Sequence, residues 1–518
     1  MTKTNNEQKT ALTERTGATE QSTLSGQGTL INRVAIGLFG LSFCERTANF
    51  TIKYLLILVF TDQIGLSDSN SALVLGAVLT ANSLFYSISG AISDRLLGLR
   101  YTLLVGLLLM VPAYLSLCIV LDYTDFGTDG LIVNSIFFGA LAIQICSISL
   151  VRLSGFNLIK HTLPEADTRS EKLYVLYYWV ESIAALMASI IAGTFIQRFG
   201  WTPIFSVLTI GMTVSGAIIF MNRHQLYIPS SPSQSIQPVT AGFAVALLIA
   251  CAFVMISFPT TAGIASTLVA IGVIYFVYRN RDQFRTVKQK EYLITFTIVT
   301  IASLLFMALQ EQQWSSLVLF ADRVVDRAVF GFTLHPSHFQ SIIPIMLVVC
   351  APAVAALLDK RQFSDAAARL SALLRKLMVS YALLMVCFVV LFTSTFFTDA
   401  TNKIHWSWLV IALVIAGPAE LFIFPIVFNA ITKNAPAKLA STMTGIHFTC
   451  YAVSGYAAGV LASLAGGVPS EQGLNAVVLN YREFLGLVGT TGGVFVIICI
   501  GAAMVFASGK YLGVLKEN

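Results

Sequence analysis

Apolar runs long enough to cross a bilayer alternate with short polar connectors along most of the chain. A helix needs about 20 predominantly apolar residues to span the hydrocarbon. By that rule the pattern predicts fourteen spans, at 33–61, 71–97, 101–121, 131–159, 171–197, 202–221, 240–257, 261–279, 291–320, 335–358, 368–396, 405–432, 438–466 and 483–508. Several exceed the minimum, which implies tilt or extension past the membrane. Residues 1–32 are polar instead, rich in Thr, Gln, Glu and Ser. They lack the apolar stretch of a cleavable leader and are expected to form a disordered cytoplasmic tail. Residues 510–518 make a second, shorter tail.

Composition agrees with the pattern. Hydrophobic residues are 56% of the 518 and charged residues only 11%, with a mean hydropathy of +0.78. Soluble domains carry about 25% charged residues, so the expected fold class is an all-α polytopic membrane protein. The net charge of +6 resides in short loops, where orientation signals belong, and implies no nucleic-acid partner. The cysteines (Cys44, Cys118, Cys146, Cys251, Cys350, Cys387, Cys450 and Cys499) all fall in apolar spans without metal-ligand spacing. They read as reduced packing residues. No nucleophile motif, phosphate loop or metal-ligand cluster occurs, so neither enzymatic activity, a cofactor nor a metal is expected.

Charge in the connectors sets the orientation. Arg95 and Arg100, then Lys160, Arg169 and Lys172, then Arg279 to Lys290, Lys360 to Lys376, and Lys433 with Lys438 all fall on one side if the N-terminus is cytoplasmic. The opposite connectors are poor in basic residues. Arg323, Arg327, Lys403 and Arg482 are exceptions, each with acidic residues nearby. The positive-inside rule then puts both termini in the cytoplasm of an inner or plasma membrane. Segment 224–239 is rich in Ser, Pro and Gln and reads as a linker. The two nearly uncharged spans after it look like a hairpin inserted between two bundles of six. The expected units are therefore 33–223, 224–290 and 291–509. Asp94-Arg95 recurs weakly as Asp359-Lys360-Arg361, which suits a duplicated six-helix unit, though ordinary positive-inside decoration gives the same pattern.

Three charged stretches interrupt the apolar spans: Glu45-Arg46 with Lys53, Glu311 in Gln310-Glu311-Gln312, and Glu420 after Pro418. A bilayer centre penalises each such side chain by roughly 2.5–3.5 kcal/mol on insertion scales. A chain keeps them when they face a polar cavity, pair with each other or meet a substrate. Basic residues dominate the first half's set and acidic residues the second, which suits a ligand with a negative and a positive end.

These residues resemble the proton-dependent oligopeptide transporters of the major facilitator superfamily, in the bacterial fourteen-helix branch. The resemblance covers nearly all of 33–508. It rests on Glu45-Arg46 with Thr61-Asp62 to Ser67, on Gly90 to Arg100, on Asp167-Thr168-Arg169 through Tyr177-Tyr178 to Trp201, and on Gln310-Glu311-Gln312 with Ser315 to Arg323 and Phe339-Gln340-Ser341. Departures are clear. The family's Glu-x-x-Glu-Arg begins here with Ser42, its Tyr pair is Asn49-Phe50, its fifth-helix Asn is Ser182, and the basic residue nearest its fourth-helix Lys is Arg152. Ile343, Phe424-Pro425 and His447 also replace family residues.

The resemblance implies uptake of di- and tripeptides with protons by alternating access between two six-helix bundles. It implies that Arg46 and Arg152 hold the peptide carboxylate, for which a guanidinium fork is suited, and that Glu420 accepts the ammonium. Lys53 and Glu311 become an outer-gate ion pair whose making and breaking moves a proton. Asn49, Phe50, Tyr177, Tyr178 and Ser182 become substrate-binding residues, and Glu45 a coupling acid. Each has a plainer alternative: Arg46 paired with Glu45 or Glu181, Arg152 snorkelling to the interface, Glu420 hydrogen-bonded in the bundle, Lys53 snorkelling, and the aromatics, Trp314 included, as packing. Glu181 has no family counterpart. It either replaces the missing first-helix acid, reads a cationic substrate group, or faces a basic partner. His447 reads as a satisfied core residue or a group titrating near neutrality. The expected partners are small peptides, protons and membrane lipid. Two further readings stay open: a carrier of another zwitterion or organic anion, with or without proton coupling, and a peptide receptor that does not transport.

Overall fold

The structure, a computed structural model, describes residues 33–501 apart from 124–129, 161, 163–169, 227–236, 285, 330, 358–365, 433–439, 469–471, 495–496 and 498–499. A backbone in hydrocarbon has no water to bond, so each span must satisfy its N–H and C=O groups internally, which a helix does. The helices are α1 (Arg33–Leu58), α2 (Asp68–Ile92), α3 (Leu99–Tyr123), α4 (Gly130–Lys160), α5 (Ser170–Ile190) and α6 (Trp201–Met221), then α7 (Pro238–Ser257) and α8 (Pro259–Arg279). They continue with α9 (Val287–Gln310), α10 (Ser316–Arg323), α11 (Ile342–Leu357), α12 (Ala366–Ser394), α13 (Trp406–Thr432), α14 (Ala440–Ala465) and α15 (Leu474–Leu485). Among the described residues twelve helices are long and apolar enough to cross a membrane, and they fall at the second to thirteenth predicted spans. α1, with 26 residues, is set apart by its four charged side chains, Arg33, Glu45, Arg46 and Lys53. The last predicted span lies partly outside the described residues, as do Asp167 to Arg169 and Asp359 to Arg361.

The ninth predicted span is not continuous. α9 ends at Gln310, a 3-10 turn covers Glu311–Trp314, and Ser315 leaves helical geometry at φ −126° and ψ −96° before α10 begins. Hydropathy alone reads through this break. Side chains at the break bond nearby carbonyls and tie it to α14: Gln312 Nε2 donates to the carbonyls of Ala308 (3.0 Å) and, on α14, Ala458 (3.1 Å), and Ser315 Oγ donates to that of Glu311 (3.3 Å). Such interruptions mark places where a helix serves a site or a hinge.

In the first half, α1 packs on α5 and α6, and α3 on α4 and α6; in the second, α13 packs on α11 and α12. The halves meet most extensively along α2 and α14. Glycine allows that approach: a Cβ on Gly76 would lie 2.7 Å from the Gly459 Cα, and one on Gly455 2.8 Å from the Thr80 nitrogen. Small residues let membrane helices bring backbones this close, and Thr80 Oγ1 then donates to the Ala452 carbonyl (3.2 Å). A second junction joins the π turn Ile191–Phe195 after α5 to the 3-10 helix Pro336–Ser341 before α11. There Ser189 donates to the Ser337 carbonyl (3.0 Å), Thr194 meets His338 Nε2 (3.0 Å), and the His338 ring covers Gly193 where a Cβ would stand. Arg323 of α10 reaches Asp62 (3.1 Å) and Asp68 (3.4 Å). The two halves are thus closed against each other at the end that holds Asp62, Asp68 and Arg323.

α7 packs on α2 and α4, and α8 on α2 and α14, so the hairpin flanks the seam between the halves. Its outer face carries exposed Ile264, Leu268, Ile271 and Ile274. Of the basic residues expected near acids, Arg323 and Arg327 pair with Asp322 at 3.0 and 3.1 Å. Arg482 instead donates to the carbonyl and hydroxyl of Thr395 (2.6 and 3.1 Å) and covers the Phe396 ring, because α15 turns it toward that loop.

One contact predicts stability directly. Gly200, at φ 77°, starts α6, and Asp122 from α3 accepts from the backbone N–H groups of Trp201 (2.8 Å) and Thr202 (2.5 Å). The carboxylate caps a helix of another segment and complements its dipole. Asp122→Ala should cost about 1–2 kcal/mol, read as a lower thermal-unfolding midpoint in detergent, with Asp122→Asn intermediate.

Candidate functional site

α1 builds one wall of a cavity by simple periodicity. Arg46, Asn49, Phe50 and Lys53 recur at i, i+3, i+4 and i+7, the spacing of one helix face, and all four line a cavity of about 190 Å³. α2 adds Asn82, Ser83 and Tyr86, α4 adds Gln144 and Arg152, the turn after α9 adds Glu311, and α14 adds Tyr451 and Ser454. Both halves therefore contribute.

The charges in and behind this wall are paired. Glu45, on the adjacent face of α1, is buried, with its side chain 3% exposed. Its close partner is Arg152 Nη2 at 3.1 Å; its sequence neighbour Arg46 stands at 3.8 Å. Arg152 also donates to the Tyr86 hydroxyl through Nη1, so it sits inside the bundle rather than at the interface. Arg46 Nη2 pairs with Glu181 of α5. Lys53 Nζ reaches Glu311 at 3.0 Å and lies 4.2 Å from the centre of the Trp314 ring. Trp314 stacks on Tyr54 (5.0 Å) and Phe50 (6.1 Å). A cation over an aromatic face gains further stabilisation, so an ion pair and an aromatic column join the halves at the same level.

Not every sequence-predicted residue enters the cavity. Glu420 on α13 accepts from Gln310 Nε2 (2.5 Å) and is not among the lining residues. Tyr177 is buried against Phe39 and Phe156, with ring centres 6.4 and 6.2 Å away, as packing. Ser182 lies on α5 beside Glu181 and outside the lining, and the Tyr178 side chain lies outside the described residues. His447 is enclosed: Nδ1 meets Thr300 (3.1 Å) and Nε2 meets the Tyr451 hydroxyl (3.1 Å). Sequence reasoning missed Tyr86, Asn82, Gln144 and Tyr451. Gln144 was the findable one, an amide in an apolar span, which here donates to Asn49 and Tyr114 at 3.4 Å. Among the described residues no His, Cys, Asp and Glu group is arranged to hold a metal.

A family model described as PTR2, the POT family, matches residues 100–477. Dipeptide and tripeptide permease B of Yersinia enterocolitica is 22% identical over 476 residues, covering 90% of this chain and 92% of its own. Dipeptide and tripeptide permease A of Chromobacterium violaceum is 20% identical, covering 89% and 91%. Among solved structures, a peptide transporter POT in complex with sulfate has a TM-score of 0.72 at 20% identity, covering 92% of this chain and 95% of its own. A POT family transporter in complex with 5-aminolevulinic acid has a TM-score of 0.71 at 20% identity, covering 90% and 95%. These likenesses show a shared fold, that of the major facilitator superfamily.

The buried Glu45–Arg152 pair makes a stability prediction. Removing one member of such a pair strands the other's charge, whereas removing both does not. Arg152→Ala should lower unfolding stability by about 3 kcal/mol or more. The Glu45→Gln/Arg152→Gln double variant should lose less than half of that in the same denaturation assay.

Proposed function

The chain belongs to the POT family, and from that premise we propose that it carries di- and tripeptides across a membrane together with protons, by alternating access. One observation carries the reading most: one cavity is lined by Arg46, Arg152 and Lys53 from the first half and by Glu311, paired with Lys53, from the second. A peptide is a zwitterion, and this division of charge matches its ends. The permeases that resemble the chain are named for di- and tripeptides. The 5-aminolevulinic acid held by one structural relative also pairs an amine with a carboxylate.

In this reading the guanidiniums of Arg46 and Arg152 take the peptide carboxylate, helped by the amides of Asn49, Asn82 and Gln144. Glu420 takes the ammonium once it leaves Gln310, which holds it in this state. Lys53 and Glu311 join the two halves, so the pair must part when the halves rock the other way. A carboxylate deprived of its cation takes up a proton more readily, which gives a proton a place in the cycle. The closed end with Arg323, Asp62 and Asp68 is then the outer side, both termini are cytoplasmic, and the apolar face of α8 meets lipid in the inner or plasma membrane. A transporter of another zwitterion shares most of this chemistry. A receptor that does not transport is disfavoured, because the relatives are permeases.

Proteoliposome uptake of dialanine tests the proposal. Arg46→Ala and Glu420→Ala should each abolish uptake in folded protein, and Glu420→Gln moving a free-amine peptide at the parent rate would refute the ammonium role. Glu311→Gln should eliminate proton-driven accumulation yet leave counterflow measurable, since counterflow needs only that the loaded carrier reorient. Accumulation persisting in Glu311→Gln would move the coupling site elsewhere.

A further inference from the structure

The neutral polar groups of the cavity wall differ in whether they can still donate. In the first half, the Tyr86 phenol accepts from Arg152 Nη1, so its own proton is free for another partner. Asn49 Oδ1 accepts from Gln144 Nε2 (3.4 Å), which leaves the Asn49 NH2 group to donate. Beside Arg46 and Arg152, these groups give the first half's lining a surplus of hydrogens.

The second half is the reverse. Ser454 Oγ, on α14, engages its one proton on the Tyr451 carbonyl (2.9 Å). The Tyr451 phenol, three residues earlier on the same helix face, meets His447 Nε2 at 3.1 Å. His447 Nδ1 meets the Thr300 hydroxyl of α9, also at 3.1 Å. Ser303 of α9 neighbours the same phenol, and its proton is held by the Thr300 carbonyl (2.9 Å). This set of partners fixes the phenol whichever ring nitrogen of His447 carries hydrogen. If Nε2 does, it donates to Tyr451, whose own proton turns to Ser303, a hydroxyl left able only to accept. If Nδ1 alone does, it donates to Thr300, and Tyr451 donates to Nε2. A hydroxyl has one proton and two lone pairs. In both cases the Tyr451 proton is engaged between α9 and α14, and a lone pair remains for the cavity that Tyr451 and Ser454 line. His447 itself is buried against the rings of Phe296 and Phe448 and does not line the cavity.

An uncharged acceptor suits an uncharged donor. A substrate ammonium bonds about twice as strongly to a carboxylate as to a neutral oxygen, and Glu420 offers one. The donor that a dipeptide has left is its peptide N–H. We propose that Tyr451, with Ser454 beside it, accepts the peptide-bond N–H of the substrate, and that His447 is the positioning residue that holds Tyr451 as an acceptor. This inference rests on the peptide reading above. It gives a role to His447, a position at which the chain departs from the family, and it lets the cavity tell a peptide from another zwitterion of the same charge.

The test is equilibrium binding to the full-length protein in nanodiscs. Dialanine is compared with alanyl-lactate, in which an ester oxygen replaces the peptide N–H and both charged ends are kept. Wild type should bind dialanine about tenfold more tightly, the size of one hydrogen bond lost. In Tyr451→Phe, which keeps the ring, the preference should fall to about twofold or less. His447→Leu frees the phenol to turn and donate to the ester oxygen, so its preference should fall as far. His447→Gln, which again offers a donor and an acceptor, should recover most of it. A packing role for His447 would shift both affinities together and leave their ratio alone. Binding of either compound reports that a variant is folded. Equal wild-type affinities for the two compounds would overturn the proposal, as would a Tyr451→Phe preference equal to the wild type's. A wild-type preference kept in His447→Leu, or no recovery in His447→Gln, would overturn the positioning role. Wild-type protein that binds neither compound would overturn the peptide reading itself.

Discussion

A charge held inside a bilayer must find a partner of opposite sign or a polar cavity, and that demand organises this chain. The pairs it creates are of two kinds. Glu45 with Arg152 and Arg46 with Glu181 lie within the first half. Both partners of each pair lie in one half, so tilting of the halves does not require them to break, and they fix the cation-bearing wall. Lys53 with Glu311, and Arg323 with Asp62 and Asp68, join one half to the other. These must break when the closed end opens. A bundle with rigid internal pairs and breakable cross pairs has two discrete arrangements rather than a continuum, which is what a switching protein requires.

The cross pairs do not act alone. The glycine contacts between α2 and α14 and the His338–Gly193 contact close the same end. None is a strong bond, and each demands close backbone approach. Together they make a seal that is specific in geometry and modest in energy. The aromatic column Phe50–Tyr54–Trp314 sits beside the Lys53–Glu311 pair. It covers one side of the ion pair, whose other side faces the cavity.

Much of this was legible in the sequence, for physical reasons that also explain what was not. Spans follow from the length of apolar runs, since the bilayer imposes it. The isolated charges stood out because each is costly in hydrocarbon. Glu181 was visible as a charge with Arg46 among its candidate partners, but the pairing was not fixed, because α1 and α5 are brought together only by tertiary packing. Hydropathy could not show the break at Glu311 to Ser315, where side chains bond nearby carbonyls. Nor could it show that Tyr86 and Tyr451 face the cavity while Tyr177 packs against phenylalanines, since a tyrosine reads alike on either face of a helix. Glu420 was placed on the correct helix, but its bond to Gln310 has no sequence signature.

The central claim is that a peptide moves with a proton. Dialanine is a net-neutral zwitterion near neutral pH, so its transfer alone carries no charge. Electrical recording from proteoliposomes on a solid support, with equal pH on both sides and no membrane potential, isolates the coupled proton. The account predicts that adding dialanine produces a transient of positive charge moving with the peptide, and that the transient shrinks as pH rises. Peptide uptake by the same liposomes without any charge movement would contradict it.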